Sequence, residues 1–399
     1  MATAADNAAA AAATAVFPDV AQAGVVRALV ESGVTTIPAM FLRPTAASPA
    51  TGAFSAPSID LSLPRADTVA LVRAGTVGAA LSAARELHEQ PLAVRSSVGA
   101  ETGAVSYSTI PIPPPRAGQA ATMPALPWRD SLVLRFGVAG DDADEFDHLP
   151  AASRDALLEY HRAAAALGRE IAGLLSEALG VGAQRLEQAT RLQGSPMACH
   201  YYPPCPEPAR VVGSRDHTDA SLFTVLALAQ DDVGGLQLRL DDGSGGTDEE
   251  WMDVSPVDGA LLINIGDVLK VISNDDYKSV EHRVVIKSTQ DARVSIALFF
   301  NPAKIDEFDF FGPLPELVTA ERPARYRSLT FPGLISYKRA LGHARPSLHG
   351  LKAPQEHEGD KLRRGHQSTL RKVAVGLYHS AKNWVTHSIS REEKSNGRK

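Results

Sequence analysis

Residues 214–228 read SRDHTDASLFTVLAL, which places two side chains that can bind a metal directly before a strand-like run. His217 and Asp219 are two residues apart, so both point to the same face if the chain is extended there. With 12 histidines in the chain, about one His-x-Asp is expected by chance, and an exposed turn would explain the pair equally well. A third ligand elsewhere in the chain would decide between these two interpretations.

The chain after about residue 190 has the pattern of a mainly β protein. Short runs rich in Val, Leu, Ile and Phe alternate there with clusters of Gly, Asp, Asn and Pro, which is typical of a sandwich or a small barrel. The runs are SLFTVLAL, GLQLRL, ALLINI, HRVVIK and RVSIALFF. Before them, apolar spacing predicts a long amphipathic helix from an N-cap at Ser153 to a stop at Gly180.

Length and composition exclude several classes of protein. A chain of 399 residues, 44% hydrophobic and 22% charged, can bury a large core. Its net charge of -6 gives no electrostatic reason to expect binding to nucleic acid or to an anionic membrane. With Cys199 and Cys205 as the only cysteines, a disulfide framework and a thiolate zinc cluster are not expected. The chain has no long apolar run and no signal-like start, so a cytoplasmic protein is predicted.

His282 is the best candidate for the third ligand. The stretch SVEHRVVIK places it at the head of a β-branched strand, where it could lie opposite His217 and Asp219. Two imidazoles and one carboxylate on one face of the metal are the ligand set of non-haem Fe(II) oxygenases, which keep the other positions open.

A second strand supplies a candidate anion site. In RVSIALFF a period of two places Arg293, Ser295, Ala297 and Phe299 on one face. A guanidinium grips a carboxylate through two hydrogen bonds, and burying it without a partner is costly. The alternative is that this face is exposed to solvent, and the apolar Ala297 and Phe299 argue against that.

Five ordered motifs give the chain its resemblance to a known family. They are YYPPCPEP (201–208), HTD (217–219), VGGLQLR (233–239), INIGDVLKVISNDDYKSVEHRV (263–284) and RVSIALFFNP (293–302). In order and spacing they resemble the plant 2-oxoglutarate- and iron-dependent dioxygenases, in particular the branch called 1-aminocyclopropane-1-carboxylate oxidase homologues. This resemblance implies a double-stranded β-helix, or jelly-roll, core with flanking helices.

The resemblance also implies the cofactors and the roles of individual residues. Fe(II) would be bound by His217, Asp219 and His282, with 2-oxoglutarate and O2 as cosubstrates and ascorbate as a possible reductant. The distal carboxylate of 2-oxoglutarate would pair with Arg293 and Ser295, and Tyr202 matches the tyrosine with which the family binds the cosubstrate. His200 stands where most relatives have asparagine and is expected to form an orienting hydrogen bond near the cosubstrate.

Three segments depart from the family pattern. Relatives have a Trp-Gly-Phe-Phe strand between an IDL strand and a HEQP turn, and the corresponding segment here, between Leu61 and His88, lacks it. We therefore predict that the N-terminal part misses one strand and leaves a sheet edge unpaired. The Pro-rich stretch 108–127 also differs, and 353–399 is extra, predicted to be a disordered tail whose removal leaves folding intact.

The predicted organisation has six parts. They are 1–16, disordered; 17–127, an incomplete helical and irregular region; 128–190, the long helix and its connection; 191–303, the dioxygenase core; 304–352, a C-terminal helical region; and 353–399, the tail.

The predicted function is hydroxylation or desaturation of a small-molecule substrate of specialised metabolism by a monomer. The resemblance leaves open two alternatives, an ethylene-forming oxidase that uses ascorbate and a catalytically impaired metal-binding relative.

Overall fold

Two β-sheets carry the C-terminal half of this computed structural model, and helices cover the outer face of the larger sheet. The structure describes residues 25–43, 48–56, 58–59, 74–98, 103–108, 125–137, 143–229, 233–241, 249–257, 259–303, 309–341, 348–353 and 375–379. The predicted disorder of 1–16 and most of the Pro-rich stretch 108–127 lie outside these residues.

The described α-helices are α1 Val25–Glu31, α2 Ala74–His88, α3 Leu92–Ser97, α4 Ala151–Ala178, α5 Arg185–Thr190, α6 Asp267–Ile272 and α7 Phe331–Leu341. Short 3-10 turns are found at Ala39–Phe41, Ala143–Phe146, Pro208–Arg210, Pro315–Leu317 and Leu348–Leu351. The strands of the first part of the chain are β1 Gly52–Phe54, β2 Ser58–Ile59, β3 Val105–Ser108, β4 Asp130–Leu134 and β5 Gln193–Tyr202. The strands of the core are β6 Ser214–His217, β7 Phe223–Leu228, β8 Leu236–Asp241, β9 Glu249–Val254, β10 Ala260–Ile265, β11 His282–Val284 and β12 Arg293–Asn301. The remaining strands are β13 Phe310–Phe311, β14 Leu329–Thr330 and β15 Val375–His379.

The larger sheet has the strand order β2-β15-β10-β7-β12-β5-β4-β3, and the smaller sheet has the order β1-β9-β8-β11-β6. A cluster of buried apolar side chains joins the two sheets, with Tyr202 and Leu262 from the larger one and Leu236, Leu238 and Val284 from the smaller one. Strands with one face on this cluster form a sandwich, which confirms the predicted jelly-roll class. The sheets stay open, and the predicted site residues lie between them.

Helices α2 and α4 pack on the other face of the larger sheet. Helix α4 begins at Ala151 after Pro150, so the predicted N-cap at Ser153 is wrong and that serine is buried in the first turn. Proline fixes its own extended backbone without a side-chain cap, so the chain can enter the helix three residues earlier, with Pro150 in the N-cap position. The helix ends at Ala178, and Gly180 follows with a positive φ of 78°, close to the predicted stop.

Gly168 marks the closest approach of α4 to the larger sheet, because a Cβ there would overlap the ring of Phe300. Gly168→Ala is therefore expected to lower the free energy of unfolding by about 1–3 kcal/mol, the usual cost of overpacking a core. Gly173→Ala, in the same helix, is the matched control, since its nearest atom would be Ala183 O at an ordinary 3.7 Å. Urea unfolding should show the control unchanged or up to about 1 kcal/mol more stable. Equal losses in both variants would contradict this packing.

The tail departs from its predicted disorder, because Val375–His379 forms β15. This strand lies between β2 and β10, antiparallel to β10 and parallel to β2. Val, Leu and Tyr in VGLYH favour a strand, and β10 offers an edge whose backbone groups need partners. The prediction of a disordered tail is therefore wrong for these five residues.

The predicted gap in the N-terminal part falls largely outside the described residues and stays a prediction. Of the segment between Leu61 and His88, the described part is the helix α2. The edge of β10 is paired along Ala260–Asn264 by the tail strand.

The predicted C-terminal helical region contains α7 but also the two-stranded sheet β13-β14. None of the helices that the structure describes is long and apolar enough to cross a lipid bilayer.

Candidate metal centre

Three side chains converge between the sheets where β6 and β11 pair. His217 ends β6 and His282 begins β11, and the two are register partners. Asp219 follows two residues after His217, and its Oδ1 lies 3.7 Å from His217 Nε2 and 3.6 Å from His282 Nε2. The ligand atoms of all three lie within 4.8 Å of one another. The structure therefore brings together the three residues that the sequence singled out.

Hydrogen bonds orient each of these side chains toward the centre. The Nδ1–H groups of His217 and His282 donate to backbone carbonyls, Arg215 O at 2.7 Å and Val280 O at 3.2 Å. This assigns the lone pair of each imidazole to Nε2, the nitrogen that faces Asp219.

The two oxygens of the Asp219 carboxylate have different roles: one is held by hydrogen bonds and the other faces the metal centre. Its Oδ2 accepts hydrogen bonds from Thr224 Oγ1 at 2.7 Å and from Asn264 Nδ2 at 2.8 Å. Its Oδ1 is left to face the two imidazoles. Carboxylates that bind metals are commonly held through such partners.

Electrostatics keep His217 and Asp219 in the protonation states that a metal requires. Burial, followed by the nearby charge of His282, lowers the pKa of His217 to about 3, so its imidazole is neutral at pH 7. Burial opposes ionisation of Asp219, but its interactions with the adjacent imidazoles of His282 and His217 and its two hydrogen bonds outweigh this effect and lower the pKa of Asp219. A neutral imidazole and an ionised carboxylate are the ligating forms.

The loop that carries Asp219 is fixed from behind by a buried ion pair. Lys338 of α7 contacts the carboxylate of Asp267, and its Nζ also donates to Thr218 O and Thr218 Oγ1, both at 2.8 Å. Thr218 Oγ1 donates in turn to Asp267 Oδ2 at 2.9 Å, and Asp267 N donates to Asp219 O at 2.8 Å. These contacts couple the ligand loop to α6 and α7.

The predicted anion site lies on the neighbouring strands. Arg293 and Ser295 are 3% and 2% exposed, so the alternative of a solvent-facing strand is wrong, and Arg293 Nη1 donates to Ser295 Oγ at 3.2 Å. Tyr202 is the register partner of Arg293, and the guanidinium carbon lies 5.1 Å from the centre of its ring. All three residues line the same cleft as the metal ligands.

His200 also lines this cleft, as the register partner of Ser295. Its Nδ1 is hydrogen-bonded to Ser131 Oγ at 2.9 Å. Burial, then the charges of Arg129 and Arg293, hold the pKa of His200 well below its usual range, so it is neutral. This position suits the predicted orienting hydrogen bond.

The cleft is lined by apolar side chains as well as by the metal ligands and the anion-site residues, a combination that is typical of small-molecule sites. The apolar side chains are those of Leu226, Leu236, Leu238, Leu262, Val284 and Phe299.

Sequence reasoning missed four residues of this region. They are Thr224, Asn264, Lys338 and Arg129. Asn264 lies within the INIGD motif and faces Asp219 from β10, so a period of two from the strand could have pointed to it. Lys338 is more than a hundred residues away on a helix, and no local pattern connects it with Thr218.

The donor set fits Fe(II). Two imidazole nitrogens and one carboxylate oxygen on one side of a common centre form the facial triad of non-haem Fe(II) oxygenases. No fourth His, Cys, Asp or Glu joins this group among the residues that the structure describes. The other side of the centre faces the cleft, where a cosubstrate can reach it.

Comparison with known proteins gives a family for this region. Residues 193–302 match the family model of the 2OG-Fe(II) oxygenase superfamily. Among curated proteins, 1-aminocyclopropane-1-carboxylate oxidase homolog 11 of Arabidopsis thaliana is 41% identical over 210 residues, 53% of this chain and 54% of that protein. Homolog 7 of the same plant is 40% identical over 205 residues, 51% of this chain and 56% of that protein. The chain thus spans about half the length of the curated relatives it matches.

Solved structures resemble this chain over more of its length than the curated proteins do. JOX2 in complex with 2OG, Fe and JA superposes with a TM-score of 0.67 at 26% identity, covering 82% of this chain and 97% of that one. The dioxygenase for auxin oxidation in rice superposes with a TM-score of 0.56 at 23% identity, covering 75% of this chain and 100% of that one, and this similarity shows a common fold. The resemblance predicted from the five motifs is confirmed.

Proposed function

Because residues 193–302 form a 2OG-Fe(II) oxygenase superfamily domain, we propose that this protein is a 2-oxoglutarate-dependent dioxygenase that hydroxylates or desaturates a small specialised metabolite. The observation that carries the proposal is the position of Asp219 Oδ1, which faces the Nε2 atoms of both His217 and His282 at 3.6–3.7 Å. The superfamily uses Fe(II), 2-oxoglutarate and O2, and these donors suit that metal.

In this proposal His217, Asp219 and His282 hold Fe(II). When bound, the iron supplies the redox chemistry that couples reduction of O2 and decarboxylation of 2-oxoglutarate to succinate with oxidation of a substrate carbon. The protein binds and orients the reactants, and apolar side chains of the cleft lie beside the metal site.

Arg293 and Ser295 hold the distal carboxylate of 2-oxoglutarate, with Tyr202 beside it. The buried guanidinium is preorganised by its hydrogen bond to Ser295, and it lies in the same cleft as the three ligands. Neutral His200 contributes a hydrogen bond near the cosubstrate without adding charge.

Arg293→Lys keeps the positive charge but loses the planar fork, so affinity for 2-oxoglutarate should fall by about 2–3 kcal/mol. Ser295→Ala removes one hydrogen bond and should cost about 1 kcal/mol. Calorimetric titration of 2-oxoglutarate into the Fe(II)-loaded protein under nitrogen measures both. Unchanged affinity in Arg293→Lys would place the carboxylate elsewhere.

Release of succinate from 2-oxoglutarate, measured while candidate metabolites are screened, tests the proposed activity. We expect succinate to require both Fe(II) and 2-oxoglutarate and to increase with the true substrate. Ethylene formed from 1-aminocyclopropane-1-carboxylate with ascorbate and without 2-oxoglutarate would favour the other oxidase class. Iron binding with no succinate under any condition would indicate an impaired relative.

We also propose that the enzyme acts as a cytoplasmic monomer on a small molecule. Light scattering of the purified protein and imaging of a tagged full-length chain test these two points.

A further inference from the structure

Thr218 stands between the ligands His217 and Asp219 in sequence, but it is not among the residues that line their cleft. Its side chain is buried and is directed toward α6 and α7, where its Oγ1 donates to Asp267 Oδ2 at 2.9 Å. The loop therefore presents two residues to the metal centre, and the residue between them to the helices behind it.

Lys338 of α7 directs all of its hydrogen-bond donors at this point. Its ammonium donates to Thr218 O and to Thr218 Oγ1, both at 2.8 Å, and it contacts the carboxylate of Asp267. An ammonium has three donors and no acceptor, so these contacts satisfy it completely. They fix both the backbone and the side chain of Thr218 relative to α7.

The beginning of α6 holds the same loop from a second side. Asp267 N donates to Asp219 O at 2.8 Å. Gly266 lies so close to the loop that a Cβ there would overlap Ser221 O. Because Lys338 also pairs with the carboxylate of Asp267, it joins the loop and the first turn of α6 into one unit.

The position of this loop decides whether the three ligands can meet. His282 comes from β11, whereas His217 ends β6 and Asp219 lies in the loop after it. Asp219 Oδ1 lies 3.6 Å from His282 Nε2, across this boundary. Sets of ligands have to be held within about 0.5 Å of their working geometry by the residues around them. A loop released from its support would therefore bind a metal less well.

We propose that Lys338 is a positioning residue of the metal centre. Through Thr218 it holds His217 and Asp219 in the arrangement in which both face His282. Its donors are all directed at Thr218 and Asp267, so Lys338 acts on the metal through the loop and not by contact.

The metal-binding unit then extends to α7, beyond residues 193–302, which match the family model. This inference rests on the proposed function, because it takes His217, Asp219 and His282 as the ligands of Fe(II).

The test compares variants of the full chain. Lys338→Met removes the ammonium and keeps an unbranched apolar side chain. Arg339→Met is the matched control, since Arg339 is the next residue of α7 and is exposed. Leu334→Ala controls for stability, because Leu334 is a fully buried residue of the same helix whose truncation loosens the core while Lys338 keeps its donors.

Three quantities are measured for each variant. Anaerobic equilibrium dialysis gives the affinity for Fe(II), and thermal melting gives the stability. The visible absorption spectrum of Co(II), bound in place of Fe(II), reports on the arrangement of the ligands.

We expect Lys338→Met to bind Fe(II) about tenfold or more weakly, since partners that orient a ligand typically contribute roughly 10–100-fold. Its Co(II) spectrum should differ from that of the wild type. Arg339→Met should change neither property. Leu334→Ala should melt earlier but keep both the Fe(II) affinity and the Co(II) spectrum.

A double variant tests the route through Thr218. Thr218→Val removes the hydroxyl that accepts from Lys338 and donates to Asp267, so it should also weaken Fe(II) binding. Combined with Lys338→Met, it should cost less than the sum of the two single losses, as is usual for residues of one hydrogen-bond network.

An Fe(II) affinity or a Co(II) spectrum that is unchanged in Lys338→Met would overturn the inference. So would additive losses in the double variant, or a loss of Fe(II) affinity in Leu334→Ala as large as that in Lys338→Met, because Lys338 would then act only through stability. If Lys338→Met does not fold, Lys338→Gln, which removes the charge alone, gives the same comparison. A wild-type protein that fails to bind Fe(II) would instead contradict the proposed function, so the two failures are distinguishable.

Discussion

Asp219→Ala is expected to abolish Fe(II) binding at micromolar metal. Asp219 is the one carboxylate in the group of three, and its Oδ1 faces both imidazoles. Removing partners that only support a ligand typically costs 10–100-fold in metal affinity, so loss of the ligand itself should cost more than about a hundredfold. Anaerobic equilibrium dialysis of Fe(II) measures this, and His217→Ala and His282→Ala should behave alike.

Asp216→Ala is the matched control for this result. It removes a carboxylate from the same strand, but the charge of Asp216 acts on Arg43 and Arg283 rather than on the centre. Fe(II) affinity should be retained in this control. If Asp219→Ala binds iron as tightly as the wild type, or if both variants lose it equally, the assignment of the ligand is wrong.

Asn264→Ala provides an intermediate case. Asn264 Nδ2 supports Asp219 Oδ2 from β10, so its loss should weaken Fe(II) binding by roughly 10–100-fold without abolishing it. The expected order of Fe(II) affinity, from Asp216→Ala through Asn264→Ala to Asp219→Ala, distinguishes a metal ligand from a residue that only orients it.

Deletion of residues 354–399 should destabilise the protein and promote aggregation. It removes β15, leaving the edge of β10 along Ala260–Asn264 without backbone partners and releasing β2. Backbone hydrogen bonds contribute about 0.5–1.5 kcal/mol each, so the free energy of unfolding should fall by roughly 2–5 kcal/mol. The exposed strand edge should also favour association between molecules. Thermal melting and light scattering should show an earlier transition, by several degrees, with larger particles.

Two further variants make this experiment specific to the strand. Deletion of 380–399 keeps Val375–His379 and should melt like the full chain. Leu377→Pro keeps the whole tail but removes a backbone N–H in the middle of β15, where Leu377 pairs with both Leu262 and Ser58. Proline is not accepted in the middle of a sheet, so this variant should resemble the long deletion. A long deletion that melts like the full chain would contradict a docked tail.

The parts of the fold that the sequence predicted are those whose signals are local. In an extended chain, every second residue points to the same face. This spacing predicted which side chains share a face in HTD, in the strand after it and in the RVSIALFF run. The position of His282 at the head of a strand made it a candidate ligand, but the resemblance was needed to assign its pairing with His217, because strand pairing over 65 positions leaves no local trace. The N-cap of α4 was misplaced since a serine near a proline looks like a cap from sequence alone.

The tail strand could not be predicted for a different reason. VGLYH is a short run in a polar segment, and such a segment becomes a strand only where an open edge accepts it. That edge is created by β10, more than a hundred residues earlier.

The central claim is that the metal bound by His217, Asp219 and His282 and the anion site at Arg293 together hold one molecule of 2-oxoglutarate. Binding of 2-oxoglutarate with and without Fe(II) tests this claim most directly. Calorimetry under nitrogen should show tight binding to the wild-type protein only when Fe(II) is present. It should also show weak binding when Asp219→Ala removes the metal and when Arg293→Lys weakens the anion contact. Binding of 2-oxoglutarate that is equally tight with and without Fe(II), or absent in both conditions, would contradict the account.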